Sequence, residues 1–312
     1  MNLEQLTKQL ISETMTVSLP LFAPELVVVG TIVLLLLFRL LGVDRWVHGS
    51  VTTMTGLGLA LVLAAVMALA IHETPVTTDL FTGLLRYDAF TAFYRVFLTA
   101  FTLLVVWLTM LSGIPDREDA PDFYVLLLGA TLGMMLMASA NHLLMVFLAV
   151  EMTSVPSYVL VGFLKGRRKS SEAALKYVVY GAGAAGVMLY GISLLMGLLG
   201  TGYLPALASG LAALPDTWAG MHSAIGMTVV LALLMVFVGI AFKLSLVPFH
   251  FWAPDAFEGA SAEVGGFLSV ASKGAAFALL VRFCLALVDS PAMQIPALRD
   301  FFVYLGVTLG IV

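Results

Sequence analysis

The chain has 312 residues, of which 61% are hydrophobic and only 11% carry a charge, and its mean hydropathy is +1.05. Soluble domains contain roughly 25% charged residues, so this composition excludes a water-soluble globular protein. The net charge of -4 suggests no nucleic-acid partner, and a lone cysteine, Cys284, excludes a disulfide framework and a cysteine-held metal cluster. We therefore expect the lipid bilayer to be the solvent and a constant partner of this chain.

Long apolar runs predict membrane-spanning helices, because a bilayer core about 30 Å thick requires about 20 apolar residues per helix. Eight complete runs follow one another along the chain: residues 25–41, 51–71, 89–111, 123–140, 142–164, 173–199, 223–251 and 262–288. A ninth run begins near Leu298 and is still apolar at Val312. The sequence therefore predicts an all-α polytopic membrane protein, and we expect the chain to be truncated after about eight and a half spans.

Lysine and arginine residues near the ends of the runs predict the orientation, because cytoplasmic loops carry an excess of both. With the N-terminus outside, the inner connections carry Arg39, Arg45, Arg117, Lys165, Arg167, Arg168 and Lys169. The outer connections carry Lys8, Arg86 and Arg299, with Arg95 near the start of the third run. We therefore expect a multi-pass protein of the cell inner (plasma) membrane with its N-terminus outside.

Ionisable side chains inside the runs are the most informative residues, because a charge at the bilayer centre costs roughly 2.5–3.5 kcal/mol on insertion scales. Glu151 lies near the middle of the fifth run, Lys273 near the middle of the eighth, and Lys176 at a shallower level of the sixth. Lys243 lies about twenty residues into the seventh run, which is too long for a straight span and contains Pro248. We therefore expect a broken seventh helix near Lys243.

Together these four residues could carry protons. Burial favours the neutral amine of a lysine and a nearby carboxylate favours the ammonium, so three lysines and Glu151 could relay protons through intervening water. Alternatives stay open: Glu151 and one lysine could form a static ion pair, and Lys176 could extend its ammonium to the headgroups. His250 is a weaker candidate, for which a structural role is equally compatible with the sequence.

One motif imitates a nucleotide site. Residues 181–186 match the dinucleotide fingerprint GxGxxG, but that fingerprint requires a strand before it, and here it lies inside an apolar run. We interpret it as a helix-packing segment, so we expect no cofactor and no metal to be bound by this chain. Nothing in the sequence supplies energy for proton transport, since it contains no phosphate loop and no HExxH motif.

The clearest family signature follows Lys243. Residues 241–260, AFKLSLVPFHFWAPDAFEGA, resemble the proton-module motif of antiporter-like subunits of NADH–quinone oxidoreductase (respiratory complex I), in the wording of the subunit N type. Residues 149–156, 172–177 and 268–277 match the same family. The segment 259–264, GASAEV, departs from the family's proline-rich stretch and adds a carboxylate, Glu263.

This resemblance implies a bundle of about fourteen helices with two inverted five-helix repeats, each containing a broken helix. Residues 1–120 would then hold helices 1–3, residues 121–288 the first repeat (helices 4–8), and residues 289–312 the start of the second. Glu151, Lys176, Lys243 and Lys273 would correspond to the proton-relay residues of the family. Partner subunits, membrane and peripheral, would hold NADH, FMN, iron–sulfur clusters and quinone, and the whole assembly would be a proton translocase. The open alternatives are a subunit of an Mrp-type Na+/H+ antiporter and a truncated scaffold that moves no protons.

Overall fold

The computed structural model describes residues 3–43, 47–116, 118–164, 166–213 and 224–288, together with residues 303 and 306. Its elements are α1 (Leu3–Glu13), a π-helical turn (Thr14–Ser18), α2 (Leu19–Leu21), α3 (Ala23–Leu40), α4 (Gly49–Glu73), β1 (Thr78–Leu80), β2 (Leu85–Tyr87), α5 (Ala89–Ser112), α6 (Ala120–Ser139), α7 (Leu143–Val161), α8 (Arg168–Leu199), α9 (Leu204–Ala213), α10 (Ala224–Leu244), α11 (Trp252–Gly259), α12 (Ala262–Phe267), a second π-helical turn (Leu268–Ser272) and α13 (Lys273–Val288). Eight helices in the described residues are long and apolar enough to span a membrane, the last being the continuous segment from α12 to α13. The eight predicted spans are therefore confirmed, whereas the ninth run lies outside the described residues except at positions 303 and 306.

The predicted break in the seventh span is also confirmed. α10 ends at Leu244, and Ser245 has a left-handed φ of 57°, which no α-helix accommodates. Pro248 follows and has no backbone N–H to continue a helix. Within the described part of the run predicted over residues 223–251, the helix extends from residue 224 to 244, and the chain becomes helical again in α11.

α6 is the centre of the bundle. In the most apolar 18 residues of this span 78% are buried, and the helix packs against α3, α5, α7 and α13. α7 can approach α6 closely because Gly133 faces Thr153: a Cβ atom at position 133 would lie 2.6 Å from Thr153 Oγ1. α8 packs against α7 and α10 on the other side and also against α11. The helices that carry the candidate residues are therefore neighbours.

Small β elements lie at one end of the bundle and were not predicted. β1 and β2 form an antiparallel hairpin in which Thr78 pairs with Tyr87. Isolated bridges join Leu85 to Ala140 and His142 to Tyr203 at the same end. We call this the hairpin end, and we call the opposite end, where α7 ends at Val161 and α8 begins at Arg168, the basic end.

Candidate functional site

Lys243 and Lys273 meet at the break in the seventh span. Lys243 is 1% exposed, and its Nζ donates a hydrogen bond to Ser154 Oγ on α7, 3.1 Å away. Lys273 Nζ donates to the backbone oxygen of Lys243 at 2.8 Å and to Ser245 Oγ. The last four carbonyls of a helix have no partner within it and carry partial negative charge, so the Lys273 ammonium is well placed at the end of α10.

A widened turn leads to Lys273. The segment Leu268–Ser272 is π-helical, and α13 begins at Lys273 itself. Such turns leave backbone groups less regularly paired than an α-helix and occur frequently at functional sites. The hydropathy of the eighth run gave no sign of this turn.

Glu151 lies beside this centre without touching it. It precedes Ser154 by three residues on α7, so the two side chains share one face of the helix. The charges of Glu151 and Lys243 act on each other, but the lysine hydrogen bond goes to Ser154. In the described part of the chain, the static ion pair left open above is therefore not formed as a direct contact.

A tight crevice with no room for a water molecule lies between Glu151 on α7 and the helices α8 and α10. Its walls are formed by Val150, Glu151, Ser154, Tyr158, Gly181, Ala184, Ala185, Met188, Gly239 and Phe242. A Cβ atom at Gly181 would lie 1.9 Å from Tyr158 Oη, so the glycine makes room for the phenol. Residues 181–186 lie within α8, as predicted, and Gly181 packs against α7, whereas Gly183 and Gly186 have no described neighbour within 4 Å of an added Cβ.

An aromatic stack supports the site from the side of α11. Trp252 stacks on Tyr177 with ring centroids 4.1 Å apart and an interplanar angle of 6°. Tyr158 meets Tyr177 edge to face at 4.6 Å. The Lys273 ammonium nitrogen lies 4.6 Å from the centroid of the Trp252 ring, within the range of a cation–π contact. Trp252 also donates its Nε1–H to the backbone oxygen of Phe242 at 3.0 Å.

Lys176 is held by carboxylates at the α8–α11 contact. Its Nζ lies 2.9 Å from both Glu172 Oε1 and Asp255 Oδ1, and its side chain is 38% exposed. Lys169 and Glu258 form a second ion pair between the same two helices. Asp255 was not identified from the sequence, although it lies within the motif that follows Lys243.

His250 lies in the turn between α10 and α11. Its ring stacks on Phe251 at 4.6 Å, and its buried Nδ1 has no hydrogen-bond partner among the described residues. Within the described part of the chain, no hydrogen bond joins this imidazole to the lysines of the site. Its role stays a prediction.

A buried ion pair joins the first and third spans. Arg95 Nε donates to Glu25 Oε1 at 2.6 Å, with 1% and 0% of the two side chains exposed, and Arg95 Nη1 donates to the Leu21 oxygen at 2.9 Å. Arg95 therefore does not belong to the connection itself: the guanidinium lies inside the bundle, where it pairs with Glu25. The partners are 70 residues apart in sequence, so spacing could not pair them.

A second arginine clamps the hairpin end. Arg282 forms a bidentate pair with Asp88, at 2.9 Å from Nη1 and 2.7 Å from Nη2, and also contacts Thr91 and the Ala138 oxygen. Burial raises the pKa of the Asp88 carboxyl, but its hydrogen bonds and charge pairing with Arg282 outweigh this effect, so the pKa lies below its usual value. Arg282 could have been noticed as a charge inside the eighth run, but its partner is 194 residues away.

Comparisons with known proteins agree with the fold and the motif. A family model described as "NADH:quinone oxidoreductase/Mrp antiporter, TM" matches residues 140–308. NADH-quinone oxidoreductase subunit N of Anaeromyxobacter sp. (strain Fw109-5) is 41% identical over 281 residues, which cover 89% of this chain and 53% of the relative. Subunit N of Chlorobium chlorochromatii (strain CaD3) is 37% identical over 279 residues, with coverages of 88% and 52%. The chain thus spans about half the length of the curated relatives it matches, and the resemblance to the subunit N type is confirmed.

Solved structures show the same fold. A chain of respiratory complex I from Thermus thermophilus with bound Aureothin has 32% identity and a TM-score of 0.64, covering 83% of this chain and 52% of that one. A chain of the Mrp complex from Dietzia sp. DQ12-45-1b has 21% identity and a TM-score of 0.69, covering 86% and 49%. At 21% identity, the similarity to the chain of the Mrp complex shows a shared fold and nothing more.

Proposed function

We propose, on the premise that this chain belongs to the NADH:quinone oxidoreductase/Mrp antiporter transmembrane family, that it is a proton-translocating membrane part of a NADH–quinone oxidoreductase. The observation that supports this proposal is the contact of Lys273 Nζ with the backbone oxygen of Lys243 at the break in the seventh span. Among the described residues, no carboxylate forms an ion pair with either of these lysines. Permanent charges at membrane depth are expensive, so exchangeable protons give the better account of them.

Charge coupling within the site suggests how a proton would move. Two ammonium groups close together repel each other in a medium of low dielectric constant, so a proton on Lys273 disfavours one on Lys243. An ionised Glu151 favours the proton on Lys243. Protonation of Glu151 would therefore shift the proton from Lys243 towards Lys273, through water admitted at the broken helix.

Lys176 would serve the basic end of the same path. Its contacts with Asp255 and Glu172 keep it charged and partly exposed, so it is better suited to exchange with the surface than to the central transfer. His250 lies in the intervening turn and is retained only as a further candidate.

Energy for the transfer would come from partner subunits. NADH oxidation and quinone reduction, with FMN and iron–sulfur clusters, would take place there, and this chain would bind none of these groups. We also propose residence in the inner membrane with the N-terminus outside. Arg39 at the end of α3 and Arg168 and Lys169 at the start of α8 support this orientation, because these ends alternate to the same side of the bundle.

The Mrp alternative shares the fold but is less favoured. Relatives at 36–41% identity are named as subunits of quinone oxidoreductases, whereas the likeness to the Mrp complex stands at 21%. Purification from native membranes separates the two: co-isolation with iron–sulfur subunits supports the proposal, and an assembly of membrane chains alone supports an antiporter.

Transport in reconstituted vesicles tests the proposal. We expect Lys243→Ala to abolish proton uptake that depends on this chain while the complex still assembles and oxidises NADH. Lys8→Ala is the matched control, because Lys8 is an exposed lysine paired only with Glu4 in the described contacts. Undiminished pumping in Lys243→Ala would contradict the relay and favour the scaffold alternative.

A further inference from the structure

The Lys273 ammonium has an unusual set of partners. Its described contacts are a backbone oxygen, a hydroxyl and an aromatic ring, belonging to Lys243, Ser245 and Trp252. None of these groups carries a formal charge, but the Trp252 ring face, like the carbonyl end of α10, attracts an ammonium more strongly than a neutral amine. A neutral amine can still donate hydrogen bonds, but it loses the electrostatic attraction to the negative ring face.

Trp252 is fixed independently of this lysine. Its ring lies on Tyr177 of α8, its Nε1–H is bonded to the Phe242 oxygen of α10, and only 2% of the residue is exposed. The lysine, in contrast, stands directly after the π-helical turn. The Trp252 ring is thus held by α8 and α10, whereas the Lys273 side chain extends over it from the start of α13.

We infer that Trp252 is a positioning residue whose ring holds Lys273 at the broken helix only while that lysine carries its proton. The inference rests on the proposed function and adds a step to it. Once Lys273 has given up its proton, its attraction to the Trp252 ring is weakened and the side chain can turn away from Lys243. The direct return of the proton to Lys243 is thereby disfavoured.

Other charges around Lys273 do not replace this contact. Lys243 on α10 repels the ammonium, and Glu151 on α7 is not among the described hydrogen-bond partners of Lys273. On α11 and α8, Asp255 is engaged by Lys176, which also contacts Glu172. α5 faces this region with Phe97, whose Cε1 would lie 3.0 Å from a Cβ atom at Gly274.

Fluorinated tryptophans at position 252 provide the test. Successive fluorine atoms weaken the negative ring face while preserving its shape, and they do not weaken the N–H donor. Proton pumping by the assembled complex in vesicles is measured as a function of pH, and the decline of pumping at high pH is the alkaline limb of this profile. We expect the alkaline limb to move to lower pH with each fluorine, by about one pH unit in total. The sign follows because a less stabilised ammonium loses its proton at lower pH.

Simple substitutions provide the comparison. Trp252→Phe retains an aromatic face and should shift the limb partway, whereas Trp252→Leu should shift it fully. Phe283→Leu is the control, because Phe283 is a buried aromatic residue of α13, the helix of Lys273, and packs on Phe237 at 5.7 Å. It should leave the limb in place, and thermal unfolding of each complex shows whether a variant is merely damaged.

Two different results would contradict two different claims. If the alkaline limb does not shift in any fluorinated variant while Lys273→Met abolishes pumping, the proposed role of Trp252 is wrong. The proton relay through Lys273 is then still supported. Normal pumping in Lys273→Met overturns the proposed function and this inference with it.

Discussion

Lys273 Nζ lies 2.8 Å from the backbone oxygen of Lys243, so the side chain of one candidate residue binds the helix end that carries the other. This contact joins the seventh and eighth spans at the point where the seventh is broken. Lys273, which would receive the proton, also caps the end of α10, the helix that carries the proton donor Lys243. A change at Lys273 therefore affects both transport and local structure.

This coupling predicts the effect of Lys273→Met. The substitution removes the proton carrier and leaves the Lys243 carbonyl without its described partner, which costs about 1–3 kcal/mol for a buried group. We expect pumping to be lost and thermal stability to fall. Ser245→Ala removes only the second partner of the ammonium, so it should retain most pumping; equal loss in both variants would show that the defect is structural.

Glu151→Gln should change the pH dependence of pumping. The amide removes the negative charge that favours the proton on Lys243, so that lysine should lose its proton at lower pH and the alkaline limb should move to lower pH. Ser154→Ala removes a neutral hydrogen-bond partner instead and should give a smaller shift. A Glu151→Gln profile that coincides with that of the native complex would contradict the coupling.

Lys176→Ala should affect pumping less than Lys243→Ala. Lys176 is partly exposed and paired with two carboxylates, so other surface groups and water can replace its exchange with the solvent. The ratio of protons taken up to electrons transferred measures the difference. Equal loss in the two variants would place Lys176 in the central step.

Gly181→Ala should destabilise the site, because its new methyl group would overlap Tyr158 Oη. We expect a loss of about 1–3 kcal/mol in thermal or denaturant unfolding. Tyr158→Phe removes that oxygen and should rescue part of the loss. Gly183→Ala is the control on the same helix, since no described atom outside the adjacent helix backbone lies within 4 Å of its added Cβ. A similar loss at both positions would argue against this packing.

The Asp88–Arg282 pair predicts acid sensitivity at the hairpin end. A carboxyl whose folded-state pKa is lowered contributes stability above its unfolded pKa, and that contribution is lost as the pH falls through the folded value. Asp88→Ala leaves a buried guanidinium unpaired and should cost about 3–5 kcal/mol. Replacing both residues, with Leu at position 88 and Met at position 282, should cost less. A double variant as unstable as Asp88→Ala would mean that the charge pairing is not the cause.

The sequence was sufficient for features that depend on local composition. Hydropathy located the spans, and run length with Pro248 located the break after Lys243. It could not supply contacts between residues distant in the chain, such as Glu25 with Arg95, because apolar runs carry no information on which spans adjoin. The aromatic contact of Lys273 was missed for the same reason: Trp252 was visible in the motif, but its ring meets the lysine only through the turn that follows Lys243.

The protonation of Glu151 during turnover is the most direct test of the account. Infrared difference spectra of the complex, recorded as NADH is oxidised, should contain a carboxyl stretching band that disappears in Glu151→Gln and is altered in Lys243→Ala. That result would show that the carboxyl group exchanges its proton in step with the lysine. A spectrum in which no carboxyl band depends on Glu151 would contradict proton transfer through this site.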